Sequence, residues 1–383
     1  MRVLLYHPWG RFDSACGASH TALAHRDYFR ARGWDVHCVM QEIPMWNVIA
    51  PDDEPAVSLD CPPVAPGDYG GEFCQLLYSS ERAANASAFR HIASEPWDAF
   101  FTTDVCAAPF AHALPRDTLK VLAAGDNYAR RAATSERSPV AVREAEQRFA
   151  FGRIEAELYR LFDRVLCTSE ADVTVARKHG AKSACHVPLW VREAVAPHSE
   201  PIEDHDITIC GGERSGDLAD LEWFYRHVYL PHLRACGVRL TIAGPVSERW
   251  AVNDLRVTTL PTTNGVYEES RIVVAPAHEA AGPHVPVMNA LAIGRAVVTT
   301  PLGLRGLDAP TDAAISIDMR TDPVGTATVI RELLAAPGWR KALGTRAAHT
   351  TSRHSRERFF TALDAVWELP TRTAHPFATA EAA

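Results

Sequence analysis

Residues 273–308 read VVAPAHEAAGPHVPVMNALAIGRAVVTTPLGLRGLD, and the order of patterns in this stretch sets the fold. The apolar run Ile272–Pro276 predicts a buried strand. His278–Pro283 predicts a Gly-containing turn, Val285–Ile293 a short helix and Ala296–Thr300 a second strand, with a Gly-rich turn after it. A turn at the end of a parallel strand delivers a helix N-terminus, with its unbonded N–H groups and positive dipole end. The ligand expected at such a turn is an anion.

The same alternation runs outward through the chain. Arg2–His7 reads as a strand, Gly17–Arg32 as a helix stopped by Gly33, and Asp35–Met40 as a strand. Gln41–Gly71 is rich in Pro, Asp and Gly and predicts a surface excursion or a partly ordered loop. Glu72–Ser94 then predicts a helix, Ala99–Thr103 and Leu119–Ala124 strands, and Arg143–Phe162 a long amphipathic helix. The strand Arg164–Thr168 leads into SEADVTVARKHG, a Ser-capped helix ended by Gly180, and His186–Pro188 is expected as the last strand of this half. Arg192–Asp206 is polar and aperiodic with two prolines, as an inter-domain linker is. A second α/β half follows: strand Ile207–Cys210, helix Leu218–Cys236, strands Arg239–Ala243 and Val257–Leu260, helix Gly265–Ser270, and the stretch quoted above. Asp322–Leu334, with Asp322 as N-cap and Pro323 at the first helical position, Trp339–His349 and Arg356–Trp367 are expected as helices. The expected division is residues 1–191, a linker 192–206, residues 207–355, a terminal helix 356–369 and a tail 370–383 without a core-forming pattern. The fold class is α/β with two Rossmann-like domains and parallel sheets.

Composition narrows the function. A chain of 383 residues exceeds what one core of roughly 250–300 residues accommodates. A formal charge of −8 argues against nucleic acid as a partner. No apolar run approaches the ~20 residues that span a bilayer, so no transmembrane segment is expected. The apolar part of MRVLLYHPWG is too short for a signal peptide. Nine scattered cysteines without a CxxC pair read as small hydrophobes in a reducing compartment, which places the protein in the cytoplasm. Seventeen histidines show no HExxH-type spacing, so no metal site is expected.

Four stretches, in chain order, resemble the retaining family 4 glycosyltransferases, whose fold is the two-domain GT-B arrangement with a central cleft. The first is the opening strand–loop–helix unit that delivers Gly17. The second is RIEAELYRLFDRVLCTSEADV followed by VPLWV. The third is ITICGGERSGDLADLEWFYRHVYLPHL followed by VRLTIAG, and the fourth is NALAIGRAVVTTPLGLRG. The resemblance implies transfer of a sugar from a nucleoside-diphosphate sugar, UDP- or GDP-linked, with retention of configuration. It implies no metal and no cofactor beyond that co-substrate. It also implies that 356–369 packs back on the first domain. The acceptor stays open between a sugar, a lipid-linked sugar and a small molecule. The chain departs from the family pattern at the paired glutamates, whose places fall at Ala281 and Asn289. A family Lys falls near His284, and Pro188-Leu189-Trp190 replaces a "PNG". These departures motivate two alternatives: an inactive binding or partner subunit, and a GT-B sugar-nucleotide epimerase.

The candidate residues follow from this. Gly17, Gly211, Gly212 and Gly282 allow the backbone to approach a diphosphate, and Arg214 supplies a bidentate cation. His284, Asn289, Thr300 and Gly303 surround the predicted helix N-terminus and strand ends, with Thr299 beside them. Glu279 and Asp126 are the carboxylates placed to meet sugar hydroxyls or to move a proton. Asp104, Cys106, Arg130, Arg131, His7 and His20 are weaker candidates for the same edge. For each of these, ordinary capping, turn and core roles stand as the alternative. GxGxxG is missing after the first strand, and the second strand ends without an acidic residue, which argues against a nicotinamide-dependent oxidoreductase.

Overall fold

The computed structural model describes residues 1–8, 17–42, 57–60, 72–125, 153–190, 205–212, 215–263, 265–278, 284–307, 312–351 and 354–368. In these residues the chain forms two all-parallel sheets. The first holds β1 (Arg2–His7), β2 (Asp35–Glu42), β3 (Val57–Asp60), β4 (Ala99–Thr102), β5 (Leu119–Ala124), β6 (Arg164–Cys167) and β7 (Ala184–His186), in the order β3-β2-β1-β4-β5-β6-β7. The second holds β8 (His205–Cys210), β9 (Leu240–Ala243), β10 (Val257–Leu260), β11 (Ser270–Ala275), β12 (Ala296–Thr299) and β13 (Ile315–Ser316), in the order β10-β9-β8-β11-β12-β13. Both are doubly wound. The chain leaves the first strand in one direction, then returns and builds outward on the other side.

Period-two alternation in β1 shows why both faces of the first sheet are covered. Val3 and Leu5 pack with α1 (Gly17–Ala31), whereas Leu4 and Tyr6 pack with α2 (Glu72–Asn85), α3 (Ser87–Ala93) and α4 (Ala108–Ala113). Helical residues 153–159, which we label α5, and α6 (Glu170–Lys178) join the second of these layers. The second sheet is covered alike. Ile207, Ile209, Ile272 and Val274 meet α7 (Ser215–Phe224) and α10 (Pro323–Ala335). Cys210, Val273 and Ala275 meet α8 (Val266–Glu269), α9 (Val285–Ala292) and α11 (Pro337–Thr351).

The last helix, α12 (Arg356–Trp367), packs on the first sheet's α1 layer. Phe359, Leu363 and Val366 are buried there with Val3, Leu5 and Phe29. The Tyr28 hydroxyl donates to Asp364 at 2.9 Å, Arg32 forms an ion pair with the same carboxylate, and Arg164 Nη1 donates to the Val366 carbonyl at 2.7 Å.

Several expectations change in detail. The stretch 41–71 is not only an excursion, because it contributes the edge strand β3, paired through Val39↔Val57. The helix expected over Glu72–Ser94 breaks at Ala86, which is extended at φ −67° and ψ 150°. Asn85 turns its side chain back to the Glu81 carbonyl there, a local bond that competes with continuing the helix. The strand expected at His186–Pro188 ends at His186, because Pro188 has no N–H to extend a ladder. The helix expected at Leu218–Cys236 is composite. After α7 it widens to a π-helical stretch, Tyr225–Leu233, and then tightens to a 3₁₀ turn. Pro231 lies in the widened part, where looser winding relieves the clash of its ring with the preceding turn. The helix expected from Arg143 and the tail from residue 370 lie partly or wholly outside the described residues, as does most of the expected linker.

Candidate functional site

In an open α/β sheet, ligands bind outside the carboxyl ends of the strands where the winding reverses. That point lies between β1 and β4 in the first sheet and between β8 and β11 in the second.

In the first sheet, His7 spans the reversal. Its ring is fully buried, with Nδ1 3.0 Å from Thr103 Oγ1 beyond β4 and Nε2 3.1 Å from Ser19 Oγ on α1. Both nitrogens are therefore engaged in holding the edge together. Gly17 opens α1 at this edge. Asp104 is a cap, accepting from the Cys106 amide at 2.8 Å, and Cys106 is buried in the core. His20 Nε2 donates to the Trp190 carbonyl at 2.6 Å, so it grips the chain where it leaves the first sheet. Asp126, Arg130 and Arg131 lie outside the described residues.

In the second sheet, β8 runs into Gly211 and Gly212. Gly244, after β9, has φ +91°, and a Cβ there would stand 2.6 Å from the Gly211 carbonyl oxygen. A Cβ on Gly211 would meet Val246 at 2.9 Å. The two turns are packed on each other at a distance only glycine permits. The Gly211 amide donates to the Ala243 carbonyl at 3.1 Å, and the Gly212 amide donates to Asp217 Oδ2 at 2.8 Å. The amides expected to face an anion are thus already bonded. The Asp217 carboxylate, in the first turn of α7, stands where the helix dipole favours negative charge. Arg214 lies outside the described residues.

Around α9 the expected residues divide. His284 is its N-cap residue, extended at φ −83° and ψ 99°, with Pro286 in the first turn. Glu279 and Gly282 lie outside the described residues. Asn289 is half-buried on α9, and it and Cys210 lie close to the buried Tyr267 phenol. Burial raises that phenol well above its ordinary value and pushes the Cys210 thiol up to about 12. Thr300 is buried and donates its hydroxyl to the Ala277 carbonyl, tying the end of β12 to the end of β11. Thr299 does the same to the Ala275 carbonyl at 2.9 Å. Gly303 is a packing glycine, since a Cβ there would overlap Thr299 Oγ1. Thr300 and Gly303 were expected to line a pocket. The Thr300 hydroxyl bonds inward, because a hydroxyl at a buried strand end needs a partner.

The structure also brings together residues that local sequence pattern does not pair. Asp220, on the second turn of α7, accepts from the His278 amide at 3.0 Å through Oδ2. It lies 3.0 Å from His278 Nδ1 through Oδ1. Arg320 stands 3.7 Å from the same carboxylate and over the Trp223 ring, which packs edge-on against His278. An ionised carboxylate only accepts, so Nδ1 carries the ring proton and a neutral ring presents a lone pair at Nε2. Nε2 is buried and has no hydrogen-bond partner among the described residues. Leaving such an acceptor unsatisfied costs about 1–3 kcal/mol. The 58-residue separation explains why no local pattern reveals the pair. A histidine just past a predicted strand end was the only signal.

No protein-family model matches the sequence, and no curated protein does. Solved structures do match over nearly the whole chain. Sucrose-phosphate synthase from Thermosynechococcus elongatus is 15% identical with a TM-score of 0.69, covering 96% of this chain and 98% of that one. A trehalose-6-phosphate structure from E. coli bound with UDP-2-fluoro glucose is 9% identical with a TM-score of 0.64, covering 97% and 100%. Anabaena HepE in complex with UDP and glucose is 12% identical with a TM-score of 0.59, covering 97% and 100%. The chain has the two-domain GT-B fold of these proteins. Among the described residues, no helix is long and apolar enough to cross a membrane.

Proposed function

We propose that this protein is a glycosyltransferase that moves a sugar from a nucleoside-diphosphate sugar to a hydroxyl acceptor, with retention of configuration and without a metal. The observation that carries this reading is the match of both sheets together, over almost the full chain, to structures holding UDP and sugar ligands. The donor occupies the reversal point of the second sheet, and the acceptor enters from the first. The diphosphate meets the N-terminal turn of α9, and Arg214 supplies the cation. The bond from the anomeric carbon to the diphosphate breaks with its electron pair leaving on phosphate. The acceptor oxygen bonds to the same carbon, and its proton passes to the departing phosphate or to a carboxylate, for which Asp126 and Glu279 are the candidates. Scattered cysteines support a cytoplasmic enzyme.

Thermal unfolding against UDP-, GDP-, TDP- and ADP-sugars tests the reading. A donor at 100 times its dissociation constant adds about 2.7 kcal/mol of stability. One sugar nucleotide is expected to raise Tm, and Arg214→Ala to shrink that rise. A flat response to the whole panel would overturn the donor site.

One set of observations favours a second reading, an inactive partner subunit. The Gly212 amide and Thr300 are satisfied within the protein, and Asn289 stands where the family pattern has a glutamate. Binding without turnover would select that reading.

A further inference from the structure

Each sheet places a histidine across its reversal point. The two differ in one respect. His7 has hydroxyl partners at both ring nitrogens, as a structural histidine does. His278 has one engaged nitrogen and one buried nitrogen without a partner among the described residues. Its side chain is 9% exposed and that of Asp220 12%. The pair bridges from the helix after β8 to the end of β11, the two strands that flank the crevice. Asp220 holds His278 at both the backbone amide and the ring, so ring position and tautomer are fixed together. Asp220 faces the His278 ring and the Arg320 guanidinium, and Trp223 closes one side of the imidazole.

We propose that His278 Nε2 accepts a hydrogen bond from a hydroxyl group of the bound sugar nucleotide, with Asp220 as the positioning residue that keeps the acceptor lone pair on that atom. The inference rests on the donor reading above and deepens it. Neither residue belongs to the set implied by the resemblance to glycosyltransferases. The hydroxyl belongs either to the ribose or to the transferred sugar, and the two are separable by ligand. A neutral imidazole fixed in one tautomer suits a hydroxyl better than a phosphate, because it offers an acceptor and not a donor.

The experiment uses the full chain. UDP-, GDP-, TDP- and ADP-glucose are titrated by calorimetry, and the tightest is carried forward with its free nucleoside diphosphate. In parent protein labelled with ¹⁵N-histidine, the His278 ring is expected to show a proton on Nδ1. Its Nε2 resonance is expected to move on saturation. His278→Phe keeps the ring packing on Trp223 and removes the acceptor. It is expected to weaken the sugar nucleotide about tenfold, the ordinary worth of one hydrogen bond. Equal weakening of the free diphosphate assigns the contact to ribose, and weakening confined to the sugar nucleotide assigns it to the sugar. Asp220→Asn is expected to weaken binding with the proton shifted to Nε2, a spectroscopic change that a packing defect alone would not produce. An Nε2 signal that stays put at saturation, or parent-like binding by His278→Phe, overturns the proposal and leaves the donor reading standing. Absence of binding by parent protein to every nucleotide overturns both.

Discussion

His25 shows what burial does to a single side chain. It lies on α1, stacked on Phe101 at 4.4 Å and edge-on to Phe359, with Nδ1 bonded to the Thr21 carbonyl at 2.8 Å. Burial, only partly offset by that bond, lowers its pKa to about 4 from the ordinary 6.5. The folded value lies below the unfolded one, so the unfolded chain binds the proton more readily. The stabilising contribution of neutral His25 is full above pH 6.5 and is lost as pH falls from there through about 4. The difference amounts to about 3 kcal/mol at the acid end. His25→Phe, which cannot titrate, is expected to lose less stability than the parent between pH 7 and pH 4, measured by urea unfolding at each pH. Parallel pH profiles for the two proteins would show that the ring is hydrated in the folded state. Such environments were invisible in the sequence. Thr300 was placed correctly at the end of β12, yet its side chain turns to the Ala277 carbonyl. Sequence pattern locates a backbone position, while the direction of a polar side chain depends on which distant partner is in reach.

At the scale of elements, local chemistry was a good guide wherever a cap was present. The α6 helix begins after Ser169, whose hydroxyl accepts from the Asp172 amide, and the chain turns at Gly180 with φ +88°. The α10 helix begins after Asp322, which accepts from the Gly325 amide, with Pro323 at its first position. Two of the edge strands, β3 and β13, were not legible. The four-residue β3 and two-residue β13 are defined by pairing with β2 and β12, and not by a pattern of their own. The α12 helix was legible in extent, and its packing gives a test. Phe359 is 2% exposed among Val3, Leu5 and Phe29, so Phe359→Ala should cost about 3–5 kcal/mol. Because α12 is held to the first sheet largely by this packing, the loss should appear first as release of that helix. Limited proteolysis is expected to cut the variant before α12 under conditions where the parent is intact. Unchanged proteolysis with unchanged unfolding would mean that the helix is held by its polar contacts to Tyr28 and Arg32.

The whole molecule is two sheets of the same winding joined twice, outward after β7 and back before α12. The alternation of parallel strands and helices was legible because each buried parallel strand is a near-continuous apolar run followed by a helix. The bonds that fasten the join were not legible, since they run between segments far apart in sequence. His20, on α1, donates to the Trp190 carbonyl, and His354, just before α12, bonds the Leu189 carbonyl at 3.1 Å. Two imidazoles from opposite ends of the chain therefore hold adjacent carbonyls of the outgoing strand of chain. Each such bond contributes about 1 kcal/mol to stability. Their larger effect should be on cooperativity, because they tie the return of the chain to its departure. Adjacent partners also make the two bonds interdependent, with a coupling of about 0.5–3 kcal/mol in a double-mutant cycle. Parent protein is expected to unfold in one calorimetric transition. The double variant His20→Phe with His354→Phe is expected to unfold in two, as each half melts on its own. A single transition at the parent's Tm in the double variant would show that α12 packing alone couples the halves. Intermediate behaviour in the single variants, with a larger than additive change in the double, would place the coupling at the two carbonyls.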